Sequence, residues 1–341
     1  MTESTHPEVS VLVACSRPEL IEGILQALLS ESDVASCELI VGGAVGSLCL
    51  SATNLPVTLI DCDPLQLNLT RQLMVEHARG SVLAFLDDDA VPLPGWLAVA
   101  ASLPANSQEI WTGPEVPTRS SAGAALAAQV GASILAEGYW GHIGVGDHPV
   151  QWYEVPFCNL VLRSDLLALV GLPDAQMVWD LDDFDFCRRA AKHGASFQTR
   201  QDLTIRHDRY PDRISDWFIR KARERHRTGS KLVRYPGIYV HIPSVVLAAG
   251  LPWVGLVVLG AAGGRRRWHI ASLCGAAYLL VVGVEAKSQH RRGRSALKFA
   301  AGLFALHVIS TAALQTGVVV GVGEKLLGLP DKNSPNRHIG E

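Results

Sequence analysis

The sequence predicts an α/β domain with a mostly parallel sheet covered on both faces, followed by a C-terminal membrane helical region. Three observations point there. Strand-like and helix-like runs alternate over the first 90 residues. Charge is divided along the chain: residues 1–202 hold 9 Lys/Arg against 25 Asp/Glu, and residues 203–341 hold 21 against 8. Beyond residue 238 come three long apolar stretches, which lift the hydrophobic content to 48% and the mean hydropathy to +0.19.

Each element follows from its residues. VSVLVAC (9–15), CELIVGG (37–43), VTLID (57–61) and VLAFLD (82–87) are predominantly apolar, β-branched-rich runs, the pattern of strands in a sheet covered on both faces. ELIEGILQALLSE (19–31) repeats its apolar residues at helical spacing, with Pro18 suited to the first turn. LTRQLMVEHARG (69–80) reads as a helix closed by Gly80. In sheets of this kind ligands bind beyond the carboxyl ends of the strands, and Asp87, Asp88 and Asp89 stand at such an end.

The second half reads differently. Residues 214–235, with Ile214, Trp217 and Phe218 among many Arg and Lys, form a basic amphipathic helix expected on a membrane surface. A span needs about 20 apolar residues, so 238–260, 268–286 and 296–323 are all candidates. The loops between them, around Arg265–Arg267 and around Lys287 and Arg291, are both basic, and successive loops of true spans lie on opposite sides. One segment is therefore expected to be re-entrant or interfacial, and 238–260 carries Pro243 and Pro252. The expected organisation is a cytosolic domain over 1–212, an interfacial helix over 213–236, two to three transmembrane or re-entrant helices over 237–325 and a polar tail over 326–341. Basic charge beside apolar segments points to anionic membrane lipids and away from nucleic acid. The start MTESTHPEVS has neither the basic nor the apolar region of a signal peptide, which places the first domain on the cytoplasmic face of a multi-pass or partly re-entrant cell-membrane protein. Seven scattered cysteines without a CxxC pair fit a reducing compartment.

Three carboxylates at a strand end repel one another and need compensation. A surface turn is one reading. A haloacid-dehalogenase-type phosphatase is another, since Asp87, Asp89 and Val91 meet its Asp-x-Asp-x-Thr/Val pattern. The third is a DxD site in which a divalent cation holds the diphosphate of a nucleotide-sugar. Both functional readings supply a hard cation, Mn²⁺ or Mg²⁺, with oxygen ligands and open positions for phosphate. A second cluster, WDLDDFDFCRRAAKHG (179–194), puts carboxylates in the first turn of a helix, where the macrodipole keeps them ionised and suited to act as base or ligand. His207, in TIRHDRY, is a candidate metal ligand.

Taken together, VSVLVACSRPE, LNLTRQLMVEHARGSVLAFLDDDAVPLPGWL, FCNLVLRSDLLALVGLPD and WDLDDFDFCRRAAKHG make the first 230 or so residues resemble a family 2 glycosyltransferase of the GT-A fold, a Rossmann-like architecture. The acidic helix with its later His resembles the galactofuranosyltransferase branch. This resemblance implies a metal on Asp87, Asp89 and His207, and nucleotide-sugar contacts from Arg17, Arg71 and Asp87–Asp89. It also implies Asp183 as general base with Asp182 close behind, and acceptor contacts from Asn159 and Trp179. The implied reaction is inverting transfer of one sugar from a nucleotide-sugar to a lipid-linked or membrane-proximal glycan. Two departures stand out. The second strand ends Val41-Gly42-Gly43-Ala44 where the family usually has Asp-Asp-Gly-Ser, and no Gln-x-x-Arg-Trp follows, which points away from a processive synthase. The phosphatase, and a non-catalytic nucleotide-sugar-binding membrane protein, remain the alternatives.

Overall fold

The structure, a computed structural model, describes residues 7–32, 36–48, 50, 53–131, 146–173, 182–234, 264, 266–291 and 295–329. The chain divides into two compact units. The first is Met1–Thr118 with Ile143–Asp208 and Asp331–Glu341; the second is Arg119–His142 with Arg209–Pro330. The second unit thus takes a segment from inside the span that the sequence predicts as one continuous domain.

In the first unit the four apolar runs become β1 (Val9–Cys15), β2 (Cys37–Gly43), β3 (Val57–Asp61) and β4 (Val82–Asp87), at the bounds their composition predicts. A single 3-10 turn at Pro18–Leu20 leads into α1 (Ile21–Leu29). Helix α2 (Leu67–His77) stops before the expected Gly80, because Ala78 is already extended. Gly80 instead lies against β1, where a Cβ would stand 2.5 Å from the backbone nitrogen of Ser10. Then follow β5 (Ala90–Pro92), α3 (Trp96–Ala101), β6 (Glu109–Thr112), β7 (Glu115–Pro117), α4 (Ala122–Gly131, in the second unit), β8 (His148–Pro149), β9 (Asn159–Arg163) and α5 (Ser164–Val170). The unit closes with α6 (Asp182–Lys192), β10 (Ser196–Thr199) and β11 (Ile205–His207). Gly194, in the left-handed region, ends α6 as its sequence predicts.

The large sheet runs β3-β2-β1-β4-β9-β6-β10-β8. Strands β3, β2, β1 and β4 are parallel, so their carboxyl ends share one edge, while β9 runs antiparallel to both β4 and β6. Met74 of α2 and Phe186 of α6 pack with Leu12, Ile40, Phe85 and Leu160 in one buried core. Each such side chain contributes roughly 1.5–3 kcal/mol by leaving water. A second, small sheet has the order β5-β11-β7.

The second unit comprises α4, α7 (Ile214–Arg234), α8 (Arg266–Arg291) and α9 (Ala296–Leu326). Helix α7 packs along α9 through glycines: a Cβ on Gly229 would meet Leu314 O at 2.2 Å, and one on Gly317 would meet His226 O at 1.9 Å. Trp217, expected to face a membrane, is instead fully buried with Ala124, Ala127, Phe299 and Leu303. An amphipathic pattern shows that a face is covered, not what covers it. Among the described residues one helix, Ala296–Leu326, is long and apolar enough to cross a membrane, with a mean hydropathy of 1.8 over its most apolar stretch. The expected segments 268–286 and 296–323 fall within α8 and α9. The Pro-bearing 238–260 lies outside the described residues.

Candidate active site

The two sheets bring the acidic strand end and His207 together. Parallel pairing sets Asp87 beside Ala14 near the carboxyl end of β1. Three residues on, the chain starts β5, and β5 pairs antiparallel with β11 so that Ala90 stands opposite His207. On the other flank β11 runs parallel to β7, with Ile205 opposite Glu115. Asp208 N–H donates to Asp89 O at 3.2 Å and locks the crossing. Asp89, His207 and Glu115, far apart in sequence, become neighbours through these short ladders.

The three aspartates differ in what surrounds them. Asp88 is buried against the loop after β1: Ser16 N–H, Ser16 Oγ–H and Arg17 N–H donate to its Oδ2 at 2.7, 2.9 and 2.8 Å, and the Arg17 guanidinium reaches its Oδ1. Its oxygens are occupied in folding the loop after β1. Asp89 faces His207 Nε2 at 3.1 Å and Arg17 at 2.9 Å. Burial alone pushes its carboxyl up, but the hydrogen bonds and charges of His207 and Arg17 outweigh this and hold it well below the usual range. Asp87 is the uncompensated member: burial raises its pKa, and the charges of Arg71 and His207 offset only part of that rise.

His207 is 6% exposed and held from both sides, Nε2 by Asp89 and Nδ1 by Glu115 Oε2 at 2.9 Å. Burial disfavours its charged form, yet Glu115 and Asp89 raise its pKa well above the ordinary value. Glu115 was not legible in the sequence: it sits in a three-residue strand within TGPEVP, and only the pairing of β7 with β11 gives it meaning. Cys158 was missed as well. It immediately precedes β9, whose first residue, Asn159, pairs with Leu86 next to Asp87, and its Sγ–H donates to Glu115 Oε1 at 3.6 Å. One ligand atom each from Asp87, Cys158 and His207 lie within 4.8 Å of one another, close enough that the three could hold a metal ion.

At the start of α6, Asp182 is buried and paired with Arg71, whose guanidinium also donates to Asn68 Oδ1 at 3.2 Å and lies 4.2 Å over the Phe157 ring. Arg71, expected to contact nucleotide, is only 4% exposed, and its charge acts on Asp87. Asp183 is half-buried, and its Oδ1 accepts from Phe184 N–H at 2.8 Å. Asn159 departs from its expected acceptor role: it is fully buried, accepting from Trp96 Nε1–H at 3.1 Å and donating to Leu203 O at 2.7 Å. Both halves of its amide tie β9 to its neighbours. Trp179 lies outside the described residues. Arg17 is the half-exposed cation of the group.

No protein-family model and no curated protein matches the chain. Solved structures do match. The mannosyltransferase PcManGT from Pyrobaculum calidifontis, in complex with GDP-Man and Mn²⁺, superposes with a TM-score of 0.53 at 18% identity, over 94% of this chain and 89% of that one. The fold is GT-A. GalNAc-T7 with UDP, GalNAc and Mn²⁺ is also similar, at 11% identity and a TM-score of 0.41. That match covers 65% of this chain and 51% of GalNAc-T7, too loose a superposition to add to the argument. In the GT-A frame the strand end at Asp87–Asp89 lies at the carboxyl edge of the parallel strands, where an open α/β sheet binds its ligand.

Proposed function

We propose that this protein is an inverting, metal-dependent glycosyltransferase of the family 2 kind, moving one hexose from a nucleotide-sugar to a lipid-linked or membrane-proximal glycan. The observation that carries the reading is the convergence of Asp87, Asp89 and His207 at the carboxyl edge of a GT-A sheet, with Glu115 behind the imidazole. These residues fit Mn²⁺ or Mg²⁺. Asp87 is a half-buried carboxylate within 4.8 Å of a His207 ring nitrogen, and Glu115 accepts from His207 Nδ1–H, the carboxylate–histidine arrangement that turns Nε2 toward a metal. The sugar is not assigned. The acidic helix and later His keep the galactofuranosyltransferase branch within the proposal.

A bound cation would neutralise charge on the departing nucleoside diphosphate. The remaining work falls to the chain itself. Asp88 shapes the β1 loop and so aims Arg17 at the edge, where its guanidinium can grip a diphosphate. Asp183 takes the proton of the acceptor hydroxyl as that oxygen attacks C1 from the face opposite the leaving group, which inverts the anomeric centre. Asp182 is held by Arg71 and so positions the start of α6 instead of serving as the base. Trp179 is proposed to line the acceptor pocket.

The membrane part of the proposal rests on α9 as a span, with α8 and 238–260 as further spans or re-entrant segments. The site then lies on the cytoplasmic face, and the basic residues of the loops, with the exposed ones of 213–236 such as Arg220, meet anionic headgroups. Nucleic acid is not a partner in this reading.

The test is release of nucleoside diphosphate by the full chain in detergent, with a membrane glycolipid extract as acceptor and a panel of nucleotide-sugars as donors. The expected result is Mn²⁺-dependent release from one donor, abolished by chelator, with product of inverted anomeric configuration. Release with retained configuration overturns the single-step mechanism, and no release from any donor overturns the assignment.

A further inference from the structure

The metal-ligating cluster contains a group that neither Mn²⁺ nor Mg²⁺ asks for. Cys158 is 6% exposed and immediately precedes β9, whose first residue, Asn159, pairs with Leu86 next to Asp87. Its sulfur shares Glu115 with His207: Cys158 Sγ–H donates to Oε1 at 3.6 Å, and His207 Nδ1 stands 2.9 Å from Oε2. One carboxylate therefore brings the two side chains together, and behind the imidazole it is the arrangement that orients a metal-ligating histidine. The ligand atoms of Asp87, Cys158 and His207 all lie within 4.8 Å of one another. Atoms sharing one ion stand about 3–4.5 Å apart, given bonds of roughly 2.0–2.3 Å, so small side-chain rotations bring all three onto a single cation.

We propose that Cys158 is a ligand of this metal centre, together with Asp87 and His207, making it a mixed oxygen, nitrogen and sulfur site that accepts thiophilic divalent cations such as Co²⁺, Zn²⁺ and Cd²⁺. Thiolate selects soft or borderline cations, whereas carboxylates alone select hard ones. Binding displaces the Sγ proton to solvent as the sulfur–metal bond forms, so the step needs no oxidant or other reactant. The inference rests on the metal-site reading above and narrows it to a donor set that a DxD motif does not announce.

The experiment is titration of the purified full chain with Co²⁺ under a non-thiol reductant, followed by absorption. The expected result is a near-ultraviolet thiolate-to-cobalt charge-transfer band that saturates with one ion per chain. Cys158→Ser should lose that band, and its Cd²⁺ affinity should fall by at least roughly tenfold, since loss of an outer partner alone costs 10–100-fold. Cys62→Ser, whose sulfur bonds Thr70 away from the cluster, should keep the band. Should Cys158→Ser fail to fold, the ¹¹³Cd resonance of the wild-type chain decides, because a sulfur ligand shifts it far from the all-oxygen-and-nitrogen position. Co²⁺ bound without the band, a band that survives in Cys158→Ser, or a ¹¹³Cd resonance at the oxygen-and-nitrogen position overturns the sulfur ligand and leaves the metal centre standing. No binding of Co²⁺ or Mn²⁺ at all overturns both.

Discussion

Asp182, the first residue of α6, forms an ion pair with Arg71 of α2, and both side chains are 5% exposed. The two are 111 residues apart in sequence. The Arg71 guanidinium also lies over Phe157, in the same buried core as Met74 and Phe186. The pair ties the acidic helix to α2, and the Arg71 charge also acts on Asp87. Asp182→Ala leaves a buried guanidinium without its counter-charge and should cost about 3–5 kcal/mol. In thermal unfolding that is a fall of roughly 10 °C. Arg71→Met combined with Asp182→Leu should recover most of the loss. An unchanged melting temperature in the single variant contradicts the structural role.

Asp183, next on the same helix, should behave in the opposite way. Asp183→Asn keeps the hydrogen bond to Phe184 N–H and should leave stability and metal-dependent donor binding nearly unchanged. Transfer should fall by about 10²–10⁴-fold, the usual contribution of a general base. Transfer close to wild type would assign the proton to another group.

Glu115 is predicted to act on the metal through His207. Glu115→Gln keeps an acceptor for Nδ1–H but removes the charge behind the imidazole. Mn²⁺ affinity, read by calorimetry, should drop by about 10–100-fold, and His207→Ala should weaken it further. If both variants titrate like wild type, His207 is not a ligand.

A pH effect should arise far from the site, at Glu38. Its buried carboxylate accepts from Ser10 Oγ–H at 2.7 Å, from Arg79 N–H at 2.7 Å and from the Arg79 guanidinium. Burial pushes the carboxyl up, but these bonds and the Arg79 charge prevail and hold it below its ordinary value of 4.5. A folded-state pKa below the unfolded one stabilises at higher pH, and the contribution is lost as pH falls through the folded value. Urea midpoints should therefore decline from about pH 5 downward, starting near the unperturbed glutamate range. Glu38→Gln should lower the midpoint at neutral pH and flatten that decline. Identical slopes for the two proteins would remove Glu38 from the acid response.

Much of the first unit was legible because its signals are local. Four parallel strands are predominantly apolar, so their bounds can be read directly, and Gly194 ends α6 where its sequence predicts. Asp87 and Asp89 were legible because three carboxylates at a strand end have no inexpensive structural explanation. What escaped depends on pairings between distant segments. Glu115 and Cys158 acquire their place from β7–β11 and β4–β9 pairing, and nothing in TGPEVP or PFCNL signals it. The same reason underlies the difference at α7: Gly229 and Gly317 fit each other's backbones across 88 residues of sequence, so the helix is covered by protein where its composition alone suggested lipid. Asn159 and Asp88 look like ligand-binding residues in a motif, but the folded chain occupies their polar atoms with its own backbone and side chains.

The first measurement to make is calorimetric binding of a nucleotide-sugar panel to the full chain in detergent, with Mn²⁺ and with chelator, for wild type and Asp89→Ala. The expected result is saturable binding of one donor that needs Mn²⁺ and is lost in the variant. Binding of no donor, with metal-dependent release of phosphate from simple esters, would contradict the glycosyltransferase reading and make the strand-end aspartates those of a phosphatase.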